Sequence, residues 1–169
     1  FFSSVDVSND DYVIFVLENG TTFEVPKYKP FKVEIISTSA TYVKVGDTAN
    51  VSIKYSITGC NNPTVLVISD LSASASNGVI TVKAPASKDG LDDVETVTLM
   101  ASNGQTTVLA SVDITVTEAL VTTWDEFYTA ITSGKSTIVL GADISTNSSY
   151  TIETDVMIDL NGKTLEISD

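Results

Sequence analysis

The 169-residue chain has no histidine and no arginine, a single cysteine and a single tryptophan. Without histidine the commonest general base and the commonest imidazole metal ligand are gone. No Ser/His/Asp or Cys/His grouping can form either. Cys60 alone closes no intrachain disulfide and builds no thiolate zinc site. Flanked by Gly59, Asn61 and Asn62 it reads as a turn residue with no activating neighbour. No stretch approaches the roughly 20 apolar residues of a membrane span. Nine lysines face 22 acidic residues, for a formal charge of -13. A chain this acidic repels phosphate backbones, which excludes nucleic-acid binding by the usual basic route. What is present is a folded composition, with 43% hydrophobic and only 18% charged residues.

Nearly all of it has period two. Alternating runs around Val5–Val7, Tyr12–Leu17 and Thr21–Val25 are separated by Asn9-Asp10-Asp11 and Glu18-Asn19-Gly20. Asn-Gly between such runs signals a hairpin, because both residues tolerate the positive φ of a type I′ turn. The spacing predicts a three-stranded meander over residues 1–29, too small to be stable alone. Residues 30–118 carry seven candidate strands: Lys32–Ser37, Tyr42–Val45, Ala49–Ile57, Thr64–Ser69, Gly78–Ala84, Glu95–Ala101 and Thr106–Val116. Short strands at this spacing, rich in Val, Ile and Thr, predict an immunoglobulin-like sandwich. Val51, Ile53, Tyr55 and Ile57 fall on one buried face, as do Val108, Ala110, Val112, Ile114 and Val116.

After Glu118 the rhythm changes. Thr123 is placed to cap a helix whose first turn holds Asp125 and Glu126. Trp124, Phe127, Tyr128 and Ile131 make its apolar stripe, which assigns Trp124 to a core, and Ser133-Gly134 ends it. Strands are then expected at Thr137–Leu140, Tyr150–Glu153, Val156–Leu160 and Thr164–Ile167. A helix feeding short strands of this spacing predicts the capped start of a parallel β-helix over residues 119–169. The fold expected is thus mainly β: meander, immunoglobulin-like sandwich, short helix and first β-helix coils.

Three resemblances accompany these patterns. Trp124-Asp125-Glu126-Phe127, Ile138–Ile144 and Ile158-Asp159-Leu160-Asn161-Gly162-Lys163-Thr164-Leu165 resemble the N-terminal cap and first coils of right-handed β-helix proteins of the pectate-lyase-like superfamily. Tyr42–Val51 and Val112–Thr117 resemble bacterial immunoglobulin-like and BACON-type modules attached to carbohydrate-active surface proteins. Phe1–Val5 through Leu17–Pro26 resembles a short domain of surface lipoproteins of Gram-negative gut anaerobes. Together they imply a fragment of a secreted or surface-anchored modular protein, lipid-anchored in its full-length form at the cell exterior. A lyase of the β-helix class needs acidic calcium ligands and a strong base on its middle coils. The last segment offers only Lys135 and Lys163, and Lys163 follows an Asn-Gly turn.

The candidate sites are few. Tyr12, Phe15, Phe23 and Tyr28 are rings that either pack on the sandwich or form a sugar platform, with Tyr12, Phe15 and Tyr28 the carbohydrate-binding candidates. Asp89, Asp92 and Asp93, beside Gly90, are hard oxygen ligands for Ca²⁺ or a solvated loop. No other cofactor is called for. Thr48, in Asp47-Thr48-Ala49, resembles a short O-glycosylation signal of exported proteins. The expected function is non-catalytic support or presentation of an adhesive or glycan-engaging region. The alternatives are the N-terminal part of a β-helix polysaccharide lyase or glycosidase with its active site beyond residue 169, and a carbohydrate-binding module. Expected partners are glycans or host and cell-surface proteins, together with self-association through an open β-helix end.

Overall fold

A computed structural model describes residues 1–168, which form sixteen strands and one helix. The chain is mainly β, in several sheets.

Strands β1 (Phe2–Asp6), β2 (Tyr12–Leu17) and β3 (Thr22–Pro26) pair antiparallel in chain order as a meander. The turn between β2 and β3 differs from the expected type I′: only Gly20 has positive φ, and Leu17 N donates to Thr21 O at 2.8 Å. Asn19 instead uses its side chain, accepting from Thr21 N at 3.0 Å. The two-residue I′ geometry occurs at Asn77-Gly78, where both φ values are positive.

The middle of the chain forms two four-stranded sheets. One orders β4 (Lys32–Thr38), β6 (Asn50–Thr58), β9 (Val79–Lys83) and β8 (Ala73–Ser76) side by side. The other orders β5 (Tyr42–Lys44), β11 (Thr107–Thr117), β10 (Val94–Ser102) and β7 (Thr64–Ile68). This arrangement is consistent with an immunoglobulin-like β-sandwich. The first strand switches sheets at Ser39, whose N–H donates to Ser52 O, so that β5 then runs parallel to β11. Between the sheets Ile53, Ile80, Val82, Val97, Leu99 and Ile114 are fully buried, the alternate residues of their strands. Strand β8 is absent from the expectation above because Ala-Ser-Ala-Ser has little β propensity. It forms because Ala73 and Ala75 face the core and the Asn77-Gly78 turn returns it against β9.

Only Glu118 separates β11 from β12 (Ala119–Val121), and helix α1 (Trp124–Thr132) follows. Thr123 caps it, its hydroxyl accepting from Glu126 N. The Glu126 carboxylate reaches back to Thr122 N (2.7 Å) and Thr122 Oγ1 (2.9 Å). At the other end Lys135 N donates to Ala130 O and Gly134 N to Ile131 O, with Gly134 at φ 75°. Strands β13 (Thr137–Leu140), β14 (Ile144–Thr146), β15 (Met157–Asp159) and β16 (Leu165–Ile167) complete the chain. All their pairings are parallel: β12 with β13, β13 with β15, and β14 with β16. Ala119, Ile138 and Ile158 are successive rungs, with about 20 residues from one to the next. Val121, Phe127, Ile131, Ile138, Leu140 and Ile144 bury one core beneath the helix, and Trp124, stacked on Phe127 at 5.5 Å, is half-buried against it.

One expected strand does not form. Tyr150–Glu153 has no pairing partner and is irregular. Its apolar residues find no sheet; Tyr150 packs edge-on to Tyr128 instead, with ring centroids 5.1 Å apart.

Candidate functional site

Two places gather polar and aromatic side chains. The first is a cleft of about 830 Å³ where the meander meets the sandwich. Its walls are Asp11, Tyr12 and Lys27–Lys29 on one side and Ile57–Asn61 on the other. Local chemistry sets this meeting point. Gly59 lies at φ 77°, and a Cβ there would come within 2.5 Å of Pro30 O. The linker can therefore cross only a glycine. Thr58 Oγ1 donates to Pro30 O at 3.3 Å, Lys27 Nζ to Val7 O at 2.7 Å, and Lys29 pairs with Asp11. The Asp11 carboxylate hydrogen-bonded to Lys29 holds that ammonium above its ordinary pKa. Tyr28 stands 89% exposed at the mouth and Tyr12 38%.

The second place is the junction of sandwich and parallel strands. Lys88, mostly buried, donates to Ser136 Oγ at 2.9 Å and also to Asp93 and Thr137. The Thr137 hydroxyl donates to Asp93 in turn, closing the ring. Around it, Thr117 Oγ1 donates to Thr137 O (3.0 Å), Thr115 Oγ1 to Asp159 Oδ2 (2.9 Å) and Thr41 Oγ1 to Asn161 Oδ1 (3.3 Å). Glu118 accepts from Ser136 N at 3.1 Å and pairs with Lys135. Its hydrogen bonds to Lys88 and Thr137 hold the Asp93 carboxyl below its ordinary value. Burial pushes the Glu118 carboxyl up, but the Ser136 N–H and the Lys135 charge outweigh it, and the net direction is down. A shallow groove beside α1 adjoins this junction, lined by Leu120, Asp125 and Glu126. The Thr122 N–H, donating to Glu126, keeps that carboxyl low as well.

The structure separates several residues that the sequence grouped. Tyr12 and Tyr28 share the cleft, but Phe15 points from the opposite face of the meander, because residues three apart in a strand alternate sides. Phe15 stacks on Phe23 at 5.1 Å and meets Phe2 at 5.1 Å. These rings pack on one another rather than on the sandwich, whose core includes none of them. Asp89, Asp92 and Asp93 do not converge either: no group of three or more metal-ligating side chains exists among the described residues. Asp93 is turned into the junction by Lys88, and the backbone N–H of Asp92 donates to Glu95 Oε1 at 2.7 Å. Thr48 is exposed in an irregular loop where its N–H donates to Asp47 Oδ1. Cys60 is a free, half-buried thiol in the cleft wall. Lys88, Ser136 and Thr137 were not read as site residues; nothing in local periodicity joins positions 48 apart.

No protein-family profile matches the sequence, and no curated protein matches it. Among solved structures, a chimeric titin Z1Z2 functionalized with a KLER exogenous peptide from decorin is similar to 52% of this chain and 88% of its own. The identity is 19% and the TM-score 0.33.

Proposed function

We propose that the chain is a non-catalytic supporting segment of a modular cell-surface protein. In this reading the sandwich holds the start of a parallel β-helix in fixed register, so that further coils can present an adhesive or glycan-engaging surface. The observation that carries it is the junction: β11 passes into β12 across one residue, and Lys88, mostly buried, bridges Asp93 of the sandwich to Ser136 and Thr137. Separating the units would break the Lys88 hydrogen bonds to Ser136 and Thr137 while leaving its pair with Asp93, so the bridge favours the joined arrangement. The 20-residue rung spacing and the parallel pairing support the β-helix reading, and the outer edges of β15 and β16 offer a template for the next coil.

A catalytic role within this chain has less support. Glycoside cleavage needs one carboxyl kept protonated near neutrality by a raised pKa. Among the described residues, Asp6, Asp93, Glu118 and Glu126 have their carboxyls held below the ordinary value, the opposite direction. The lyase or glycosidase alternative therefore places its chemistry in coils beyond residue 169. Incubating a longer chain with polysaccharides and measuring product separates the two readings.

Limited proteolysis tests the support role. A glutamyl protease is expected to spare the Glu118–Ala119 bond under conditions where trypsin cuts after Lys27. Equal rates at the two bonds would overturn it.

The cleft supports a second reading, carbohydrate binding, because Tyr12 and Tyr28 line it with Lys29, Asp11 and Asn61 in reach of hydroxyls. A glycan array probed with the chain and with Tyr28→Ala is the test; silence across the array removes this reading.

A further inference from the structure

The meander has two faces of opposite character. Phe2, Val5, Phe15, Leu17, Phe23 and Val25 share one face, set by the pairings Phe2↔Leu17, Val5↔Phe15 and Phe15↔Phe23. At its linker end the register continues into Asp11 and Lys27, where Lys27 N donates to Asp11 O and Lys29 pairs with the Asp11 carboxylate. Asp6, Tyr12 and Glu24 point from the other face, where Asp6 pairs with Ile14 and Ile14 with Glu24. Neither buried core includes a residue of β1–β3. The consequence is a bare apolar face: Phe2 is 54% exposed, Val5 50%, Phe23 42% and Val25 42%. Three strands with an uncovered hydrophobic face are marginal in water.

Several occupants are disfavoured by what surrounds the face. An anionic membrane is repelled by a chain of charge -13 without arginine. A basic partner finds no unpaired carboxylate to select it, since Asp11, at the edge of this face, is held by Lys29. The chain's own sandwich meets the meander at the cleft, through Asp11, Tyr12 and Lys27–Lys29, and leaves Phe2, Val5 and Phe23 uncovered. A second copy meets none of these objections. Two such faces stacked leave Asp6 and Glu24 pointing outward, and Asp11 is already paired with Lys29, so the net charge does not oppose contact locally. Aromatic rings bury roughly 150–250 Å² each, and with the smaller valines also about half open the face leaves on the order of 500 Å² uncovered. Two faces together bury on the order of 1,000 Å², the lower bound for a specific, reversible interface.

We propose that the apolar face of the meander is a homodimer interface, in which two chains stack face to face about a two-fold axis as a six-stranded mini-sandwich. The contact is isologous: Phe2, Phe15 and Phe23 of one chain interleave with the same rings of its partner. Its affinity is micromolar, in keeping with its small area.

Sedimentation velocity on the whole chain, from low micromolar to several hundred micromolar, reads this directly. The weight-average coefficient is expected to climb from monomer to a dimer plateau. Phe23→Ser is expected to weaken association at least about tenfold. Leu109→Ser, at a more exposed apolar residue on the sandwich, should leave it unchanged. Because Phe23→Ser could loosen the meander, a second reading uses the unaltered chain: amide shifts that move with concentration should be confined to β1–β3. A strict monomer throughout, growth beyond two copies, or loss of association in Ile167→Ser but not Phe23→Ser would each overturn the proposal.

Discussion

Lys88 shows how a single side chain decides whether two units behave as one. Its ammonium is mostly withdrawn from water and donates to three oxygens, two of them on β13 or the residue before it. Lys88→Met leaves the Asp93 carboxylate and the Thr137 hydroxyl short of their donor, at a cost of about 1–2 kcal/mol after allowing for Asp93's partial exposure. Urea unfolding measures it. Lys32→Met, which breaks an exposed pair with Glu34, should cost less than about 0.5 kcal/mol. The same site sets an acid limit. Asp93 is held below its ordinary 3.8 when folded, so the unfolded chain takes up the proton more readily. That stabilisation is complete above 3.8 and is lost as pH falls through the lower folded value. Urea midpoints should therefore drop more steeply below pH 3.8 for the natural chain than for Lys88→Met. Gly59 carries a different constraint. Gly59→Ala combines a left-handed φ with a Cβ driven into the Pro30 carbonyl and should cost about 2 kcal/mol or more. Gly104→Ala, at φ 89° with nothing within 4 Å, should cost about 1 kcal/mol.

Among the elements, α1 gives the sharpest local test. Thr123→Ala removes the side-chain acceptor for Glu126 N and should lower stability by about 1 kcal/mol, by the same unfolding assay. This helix was legible from its cap, its acidic first turn and its apolar stripe, all of which lie within a dozen residues. The strands of the sandwich were legible for a similar reason: Val51-Ser52-Ile53 alternates as its burial does. Where the pattern is short or chemically weak, tertiary packing decides. Ala73–Ser76 becomes a strand because a hairpin partner and a core face are provided, whereas Tyr150–Glu153, with better residues for a strand, has no neighbour to pair with. The sites were less legible than the elements. Alternation could have placed Tyr12 and Phe15 on opposite faces, but the Lys88 ring depends on a turn and a strand far apart in sequence. No local pattern encodes that meeting.

At the scale of the molecule, the three sheets systems are joined unequally. The meander meets the sandwich through a short linker over Gly59, while the sandwich meets the parallel strands across the single residue Glu118 and through a set of polar bridges. Residual dipolar couplings measured on the whole, weakly aligned chain test this difference most directly. Couplings from residues 32–117 and 119–167 are predicted to fit one alignment tensor. Two distinct tensors for those segments would contradict the account, since a sandwich free to reorient cannot hold the parallel stack in register.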